Sequence, residues 1–292
     1  MVNLIRLAQL CHDKAAAVNF LQQVNILPNP RHCTRGHPMT LELRDKGDRW
    51  RCSLRACRQE FSVRKGTWIE GSKLSFEKII LHLYCWSETN YSIRFLEKEL
   101  EFKKEAIIDY NNYCREICAK VLLANPPRIG GPGKTVEIDE SLFVRRKYNR
   151  GRMLQQQWVF GGICREDQQS FLYCVDARDA ATLLPIIQNH VLPGTTILSD
   201  EWAAYRQIQA LGYQHNTVNH SLTFVDPVTG AHTQNVESHW RHAKQRSKTQ
   251  YGTHRTMVDS YMCEWMWRQR NKGQDLFIEI LTDIAAHYPP PQ

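Results

Sequence analysis

A three-block α+β / α/β protein is what the sequence predicts, from three observations. From residue 134 onward, three strand-like runs follow one another, and then helix and strand patterns alternate, which indicates a mixed sheet rather than a pure βαβ repeat. Residues 74–123 place apolar side chains at helical spacing. Ahead of them, short β-like runs carry Cys and His at metal-ligand spacings, in a segment too small to bury a core of its own. The 292 residues, 42% hydrophobic and 23% charged, suit about two domains and exclude a disordered or collagen-like chain. No apolar run approaches the ~18 residues of a membrane span, and no signal-peptide pattern opens the chain. A soluble, non-secreted protein without a membrane partner is expected.

Each element follows from local pattern. Residues 1–30 read as a helical extension, with a helix over Lys14–Gln23 that ends at the Pro28 and Pro30 turn. Residues 31–70 alternate β-like runs (Met39–Leu43, Trp50–Cys52, Glu60–Val63) with turn residues such as Gly47 and Asp48, predicting a small β-ribbon. Within 71–125, Ile79, Ile80 and Leu83, then Ile93, Leu96 and Leu100, then Ile107, Ile108, Tyr113, Ile117 and Val121 mark two or three helices. They fit either a helix-turn-helix or a plain connector. Asn125 to Gly133, with Pro126, Pro127 and Pro132, cannot continue a helix and reads as a linker. The third block, 134–270, reads as strands Thr135–Val144, Gln157–Ile163 and Phe171–Val175, helix Ala180–His190, strand Thr195–Ser199, a helix around Trp202–Leu211 and strand His215–Asn219. Residues 271–292 close the chain as a helix and tail.

The net charge is +8, and its excess is N-terminal: residues 1–75 hold 13 Lys/Arg against 6 acids, while the remainder is nearly balanced. A second cluster, Arg145, Arg146, Lys147, Arg150 and Arg152, interrupts the balanced part. Both regions suit a polyanion, and both suit a merely solvated surface.

Ten cysteines without an evenly spaced framework argue against a secreted disulfide scaffold. Cys33, His37, Cys52 and Cys57 stand as Cys-x₃-His, a gap of 14, then Cys-x₄-Cys, which offers zinc four ligands from two short knuckles. His32 competes with His37 for the second position, and free thiols are the alternative. The other cysteines lie in apolar patterns and read as core.

Three acids stand out. Asp139 lies mid-strand, where alternation sets it on one face with Glu137 and Ser141, opposite Ile138 and Glu140. An exposed edge strand would also accommodate it. Asp200 ends an apolar run before a predicted helix, so it is either a strand-end functional acid or a helix N-cap. Glu237 falls on a predicted helix near 233–244 that also carries Trp240 and Lys244 on one face. Together they have the order needed to gather two divalent metals for phosphodiester chemistry. Of the late histidines, His215, His220, His232, His239, His242 and His254, half are expected to pack and the rest to touch phosphate.

Six ordered motifs carry a resemblance: Val136–Ser141 with the Arg-Arg-Lys that follows, Trp158–Gly162, Leu183–Ile187, Ser199–Tyr205, Val218–Ser221 and Thr233–Trp240. Over about residues 30–270 the chain resembles the DDE transposases of Merlin-type DNA transposons and their bacterial insertion-sequence relatives. The resemblance implies an RNase H-like catalytic domain. In it Asp139, Asp200 and Glu237 would be the metal-binding triad for Mg²⁺ or Mn²⁺, with 36 residues between the last two. It implies a structural-zinc ribbon at the N-terminus, although the usual first knuckle is Cys-x₂-Cys and this chain has His37. Lys244 matches the basic residue placed beside the scissile phosphate. Lys244, Trp240 and the 145–152 cluster would contact double-stranded DNA, both transposon terminal repeats and target. Pairing of two ends implies a homo-oligomer, in the nucleus of a eukaryote or the cytoplasm of a bacterium. A domesticated DNA-binding descendant and an RNase H-like nuclease are the alternative functions.

Overall fold

Asp13, Ser75, Ser92, Asp179 and Asp275 each turn a side-chain oxygen onto backbone N–H groups of the helix that follows, fixing where those helices start. The computed structural model describes residues 3–45, 47–89, 91–144, 156–218, 234–245 and 253–292. In chain order the elements are α1 (Leu4–Leu10), α2 (Lys14–Gln23), β1 (Met39–Glu42), β2 (Arg49–Cys52), β3 (Glu60–Ser62), α3 (Phe76–Glu88), α4 (Ile93–Glu99), α5 (Lys104–Ala124), β4 (Ile129–Gly130), β5 (Thr135–Val144), β6 (Gln157–Cys164), β7 (Ser170–Val175), α6 (Ala180–His190), β8 (Val191–Leu192), β9 (Thr196–Asp200), β10 (Gln214–Val218), α7 (Gln234–Ala243), α8 (Val258–Arg270) and α9 (Leu276–His287). They fall into two units, Met1–Val121 with Gly273–Gln292, and Leu122–Lys272. No described helix is long and apolar enough to cross a membrane.

In the first unit, β1, β2 and β3 form a small antiparallel sheet. Its arginines are engaged internally: Arg49 meets Glu42 at 3.0 Å, and Arg51 reaches Glu60 at 3.6 Å. Arg64 lies over the Phe76 ring, 4.3 Å from its centroid. Part of the N-terminal basic excess therefore holds the unit together. The helices meet around Phe277 of α9, which stacks with Phe20 of α2 and takes the edge of Tyr84 from α3.

The second unit is a five-stranded mixed sheet in the order β10-β9-β5-β6-β7. β5, β6 and β7 are successive antiparallel neighbours, while β9 pairs parallel to β5 and β10 parallel to β9. This order and direction define an RNase H-like fold. One core, with Ile138, Phe160, Ile187 and Tyr205, involves α6; a second, with Val159, Leu172, Val236, Trp240 and Met266, involves α7 and α8.

Two expectations need correction. The 125–133 segment is not a free linker: Ile129 is buried, and β4 pairs with β8. There Gly130 adopts φ 85°, and a Cβ on it would collide with Thr195 Oγ1. Trp202–Leu211 is not an α-helix but two 3₁₀ turns, Ala203–Gln207 and Gln209–Leu211, ended by Gly212 at φ 88°. The basic residues Arg145, Arg146, Lys147, Arg150 and Arg152, and likewise His220 and His232, lie outside the described residues.

Candidate functional site

Strand and helix pitch build the centre of the second unit. Two residues along a strand advance about 6.6 Å, and four along a helix about 6 Å, so every second residue of β5 can meet every fourth of α7. Three such contacts occur. Glu137, fully buried, accepts from the Val236 N–H at 3.0 Å and from Asn235 Nδ2 at 2.7 Å. Asp139 Oδ2 accepts from the Trp240 indole N–H at 2.9 Å. Ser141 Oγ accepts from Lys244 Nζ at 2.5 Å. Glu137 also receives Arg165 Nε at 2.6 Å, so one buried carboxylate fixes the start of the helix that carries Glu237.

The paired glycines of β6 make room for this arrangement. Gly161 is the register partner of Asp139. A Cβ on Gly161 would lie 2.8 Å from Trp240 Cη2 and 2.5 Å from Leu172 Cδ2. Without one, the Trp240 ring lies across the sheet and reaches the acid.

Asp200 arrives from β9. The parallel register pairs Glu137 with Leu198, so two residues further on Asp139 is level with Asp200 on the same face. Asp200 Oδ1 accepts the Trp202 N–H at 3.0 Å and does not cap the following 3₁₀ turn, which has no side-chain cap. Glu237 is solvent-exposed in the first turn of α7. Burial pushes the Asp139 carboxyl up to about 6; the Trp240 hydrogen bond opposes this, and the charges of Asp200 and Glu237 add to it. Three carboxylates from a central strand, a neighbouring strand end and a helix thus share one electrostatic field. Oxygen donors of like charge fit a hard divalent cation, which would relieve their repulsion.

Sequence reasoning missed Glu137 and Glu140. Glu140, on the opposite face of β5, is pushed up to about 7, first by burial, with Asp139 and Asp200 adding and Tyr205 and Arg178 opposing. The mid-strand acid pattern itself was the signal for both. Trp240, expected to touch DNA, is only 5% exposed and packs in the core, so its role is to hold Asp139. Lys244 also lies over the Phe143 ring, 5.0 Å from its centroid. His239 is a packing residue, edge-on to Trp265 at 4.2 Å, and His215 bonds Ser199 at 2.9 Å.

The first unit holds a different cluster. The ligand atoms of Cys33, His37, Cys52 and Cys57 all lie within 4.8 Å of one another. Cys33 and Cys57 sulfurs are 3.8 Å apart, and a tetrahedral zinc with ~2.3 Å bonds spaces its sulfurs by about that distance. His37 Nδ1 lies 3.3 Å from Cys33 Sγ and 3.8 Å from Cys52 Sγ. Gly36, at φ 77°, turns the chain so that the His37 N–H also falls on Cys33 Sγ. His37, not His32, therefore joins the three thiols, and these four residues fit zinc. All ten cysteines are free of disulfides.

Residues 131–270 match the family described as the ISXO2-like transposase domain. That match covers just under half of the chain. Relatives include an uncharacterized transposase-like protein of Haemophilus influenzae, 28% identical over 106 residues, which are 36% of this chain and 85% of that protein. Another is male abnormal protein mab-31 of Caenorhabditis elegans, 27% identical over 169 residues, 50% of this chain but only 38% of the nematode protein's length. Among solved structures, the HTLV-2 integrase catalytic core domain in complex with magnesium aligns with TM-score 0.31 and 12% identity over 49% of this chain and 88% of that one. A pre-cleavage Mos1 transpososome aligns with TM-score 0.28 and 11% identity over 72% and 78%. Strand order and direction, not these likenesses, define the fold. The matched stretch contains Asp139, Asp200, Glu237 and Lys244.

Proposed function

We propose that this chain cuts DNA and joins the cut ends to a target, as a transposase in which Asp139, Asp200 and Glu237 hold two divalent cations, Mg²⁺ or Mn²⁺. What supports this is the like charge that Asp200 and Glu237 exert on Asp139, and a register that sets Asp139 level with Asp200, within a stretch that matches a transposase family. Held by these acids, the cations would supply activation of water or a DNA 3′-hydroxyl and stabilisation of the leaving oxygen. The chain's own residues orient the acids. Trp240 holds one oxygen of Asp139, Trp202 N–H holds one of Asp200, and Glu137 anchors the helix bearing Glu237. Lys244, tethered at Ser141 on the same face, presents positive charge to a phosphate. The ribbon, stapled by zinc at Cys33, His37, Cys52 and Cys57, and the 145–152 basic run bind duplex phosphates. Two chains or more pair the transposon ends.

The test uses labelled DNA from both flanks of the gene, incubated in Mg²⁺ or Mn²⁺ with the native chain and with Asp200→Asn, scoring cut and joined products. Cleavage at defined ends followed by joining, by the native chain only, is expected. Equal cleavage by Asp200→Asn would remove the triad. End-specific binding without cutting would favour a domesticated DNA-binding protein.

A further inference from the structure

Beside the acid cluster, an arginine lies between two tryptophans. The Arg178 guanidinium is 4.0 Å from the ring centroid of Trp158 and 4.8 Å from that of Trp202. Trp158 is partly buried against the core around Phe160, whereas Trp202 is 41% exposed. A single exposed aromatic is ordinary; one held this firmly is not. The Trp202 indole N–H donates to the Arg178 carbonyl at 2.9 Å, its backbone N–H donates to Asp200 Oδ1 at 3.0 Å, and its ring rests on a cation fixed from behind by Trp158. The indole is thus a rigid, exposed π-surface two residues from Asp200. Rigidity removes the entropic cost of ordering a side chain on binding, which is what a stacking surface needs.

From this geometry we infer that Trp202, backed by Arg178, is a stacking platform for one unpaired nucleobase of the DNA strand whose phosphate lies at the acid cluster. This deepens the function proposed above and rests on it. A nucleotide that reaches the Asp200 carboxylate has its base, or its neighbour's, within reach of an indole whose backbone amide touches that carboxylate. Any base offers a π-face, so the platform is tolerant of sequence. Extruding a base also frees the backbone around the phosphate from duplex geometry. The Arg178 cation adds attraction for the polyanion, and it already bears on Glu140 next to Asp139.

The experiment places 2-aminopurine at each position in turn across the cleavage site, in duplex ends and in matching single strands. It compares the native chain with Trp202→Ala and Trp202→Phe, each checked by thermal melting. Without metal, the native chain should quench the probe in the single strand, and in the duplex at one position alone the signal should change. Trp202→Ala should lose that response, and Trp202→Phe should keep it. In Mg²⁺, Trp202→Ala should cleave fully paired ends about 10-fold or more slowly, the scale of one lost base stack. A mismatch at the reporting position should recover part of the rate. The platform is overturned if Trp202→Ala keeps the native probe response, even with cleavage slowed, because Trp202 would then act only through Asp200. Absence of cleavage by the native chain would instead remove the proposed catalysis, while the metal-free probe response still decides whether the platform exists.

Discussion

The Cys/His cluster of the first unit and the three acids proposed as a metal site in the second are built in opposite ways. Cys33, His37, Cys52 and Cys57 come from one short segment, and their ligand atoms close on each other within 4.8 Å. Asp139, Asp200 and Glu237 come from three elements, two of them individually tethered by an N–H donor, with like charges still acting on Asp139. Closed thiolate and imidazole sets serve to hold a fold, whereas acids left with unspent charge and open oxygens serve chemistry. A domain too small for its own core needs the first kind of site. A sheet large enough to bury Glu137 can support the second.

The largest effect should come from exchanging damage between the clusters. Cys57→Ser should reduce bound zinc from one equivalent per chain to almost none and unfold the ribbon, since apparent zinc-binding energies of about 10 kcal/mol or more are folding energy in such domains. Asp139→Asn should keep its zinc and its melting temperature but cut DNA about a thousand-fold more slowly or worse, the scale of losing a principal electrostatic contributor. Metal analysis, thermal melting and the cleavage assay on both variants check this. The separation fails if Asp139→Asn sheds zinc, or if Cys57→Ser retains it.

The same contrast explains what was legible in the sequence. Short-range pattern placed α2, β5 and α6 to the residue, because caps, Gly and Pro, and apolar period are all local signals. It also kept Asp139 with Glu137 and Ser141 on one face. It could not separate His32 from His37, because ligand choice depends on the turn at Gly36. Trp240 was misjudged for a related reason. An aromatic beside a carboxylate and a lysine looks like a binding stripe, until the missing Cβ of Gly161, far away in sequence, lets it sink into the core. The region after Asp200 was misjudged because Ala203–Gln207 has helical composition but winds as 3₁₀ over Tyr205. The β4 strand was hidden within a stretch rich in Pro and Gly, since its pairing with β8 is set by distant residues.

Glu137 offers the next test, because it joins structure to chemistry within the second unit. It is fully buried and bonded to Arg165, Asn235 and the Val236 N–H. Removing one partner from a buried charged network costs about 3–5 kcal/mol. Glu137→Ala should therefore lower the urea-unfolding free energy of the second unit by about that amount, leave zinc content unchanged and reduce cleavage, as the helix bearing Glu237 loses its anchor. Glu137→Gln should cost less on both counts. An unchanged unfolding free energy for Glu137→Ala would mean that α7 is positioned by its apolar contacts alone.

The smallest effect concerns buried histidines: among the described residues each unit holds one with a strongly lowered pKa. Burial pushes His82 of the first unit down to about 4, where it packs against the rings of Phe102 and Tyr110. Burial also pushes His239 of the second unit down to about 3, with His242 adding to the shift. An unfolded His titrates near 6.5. Between that pH and the folded pKa the unfolded chain binds a proton that the folded chain does not, so stability is full above 6.5 and falls as the pH falls. For His82 the loss between pH 7 and pH 5 is about 2 kcal/mol by this linkage. His82→Phe should retain the ring packing and flatten the acid limb of the first unit by about that amount, measured by urea unfolding at the two pH values. Comparing pH 7 with pH 5 in native and variant chains cancels the protonation of the zinc ligands, which is common to both. Identical pH slopes would show that His82 is hydrated or charged in the fold.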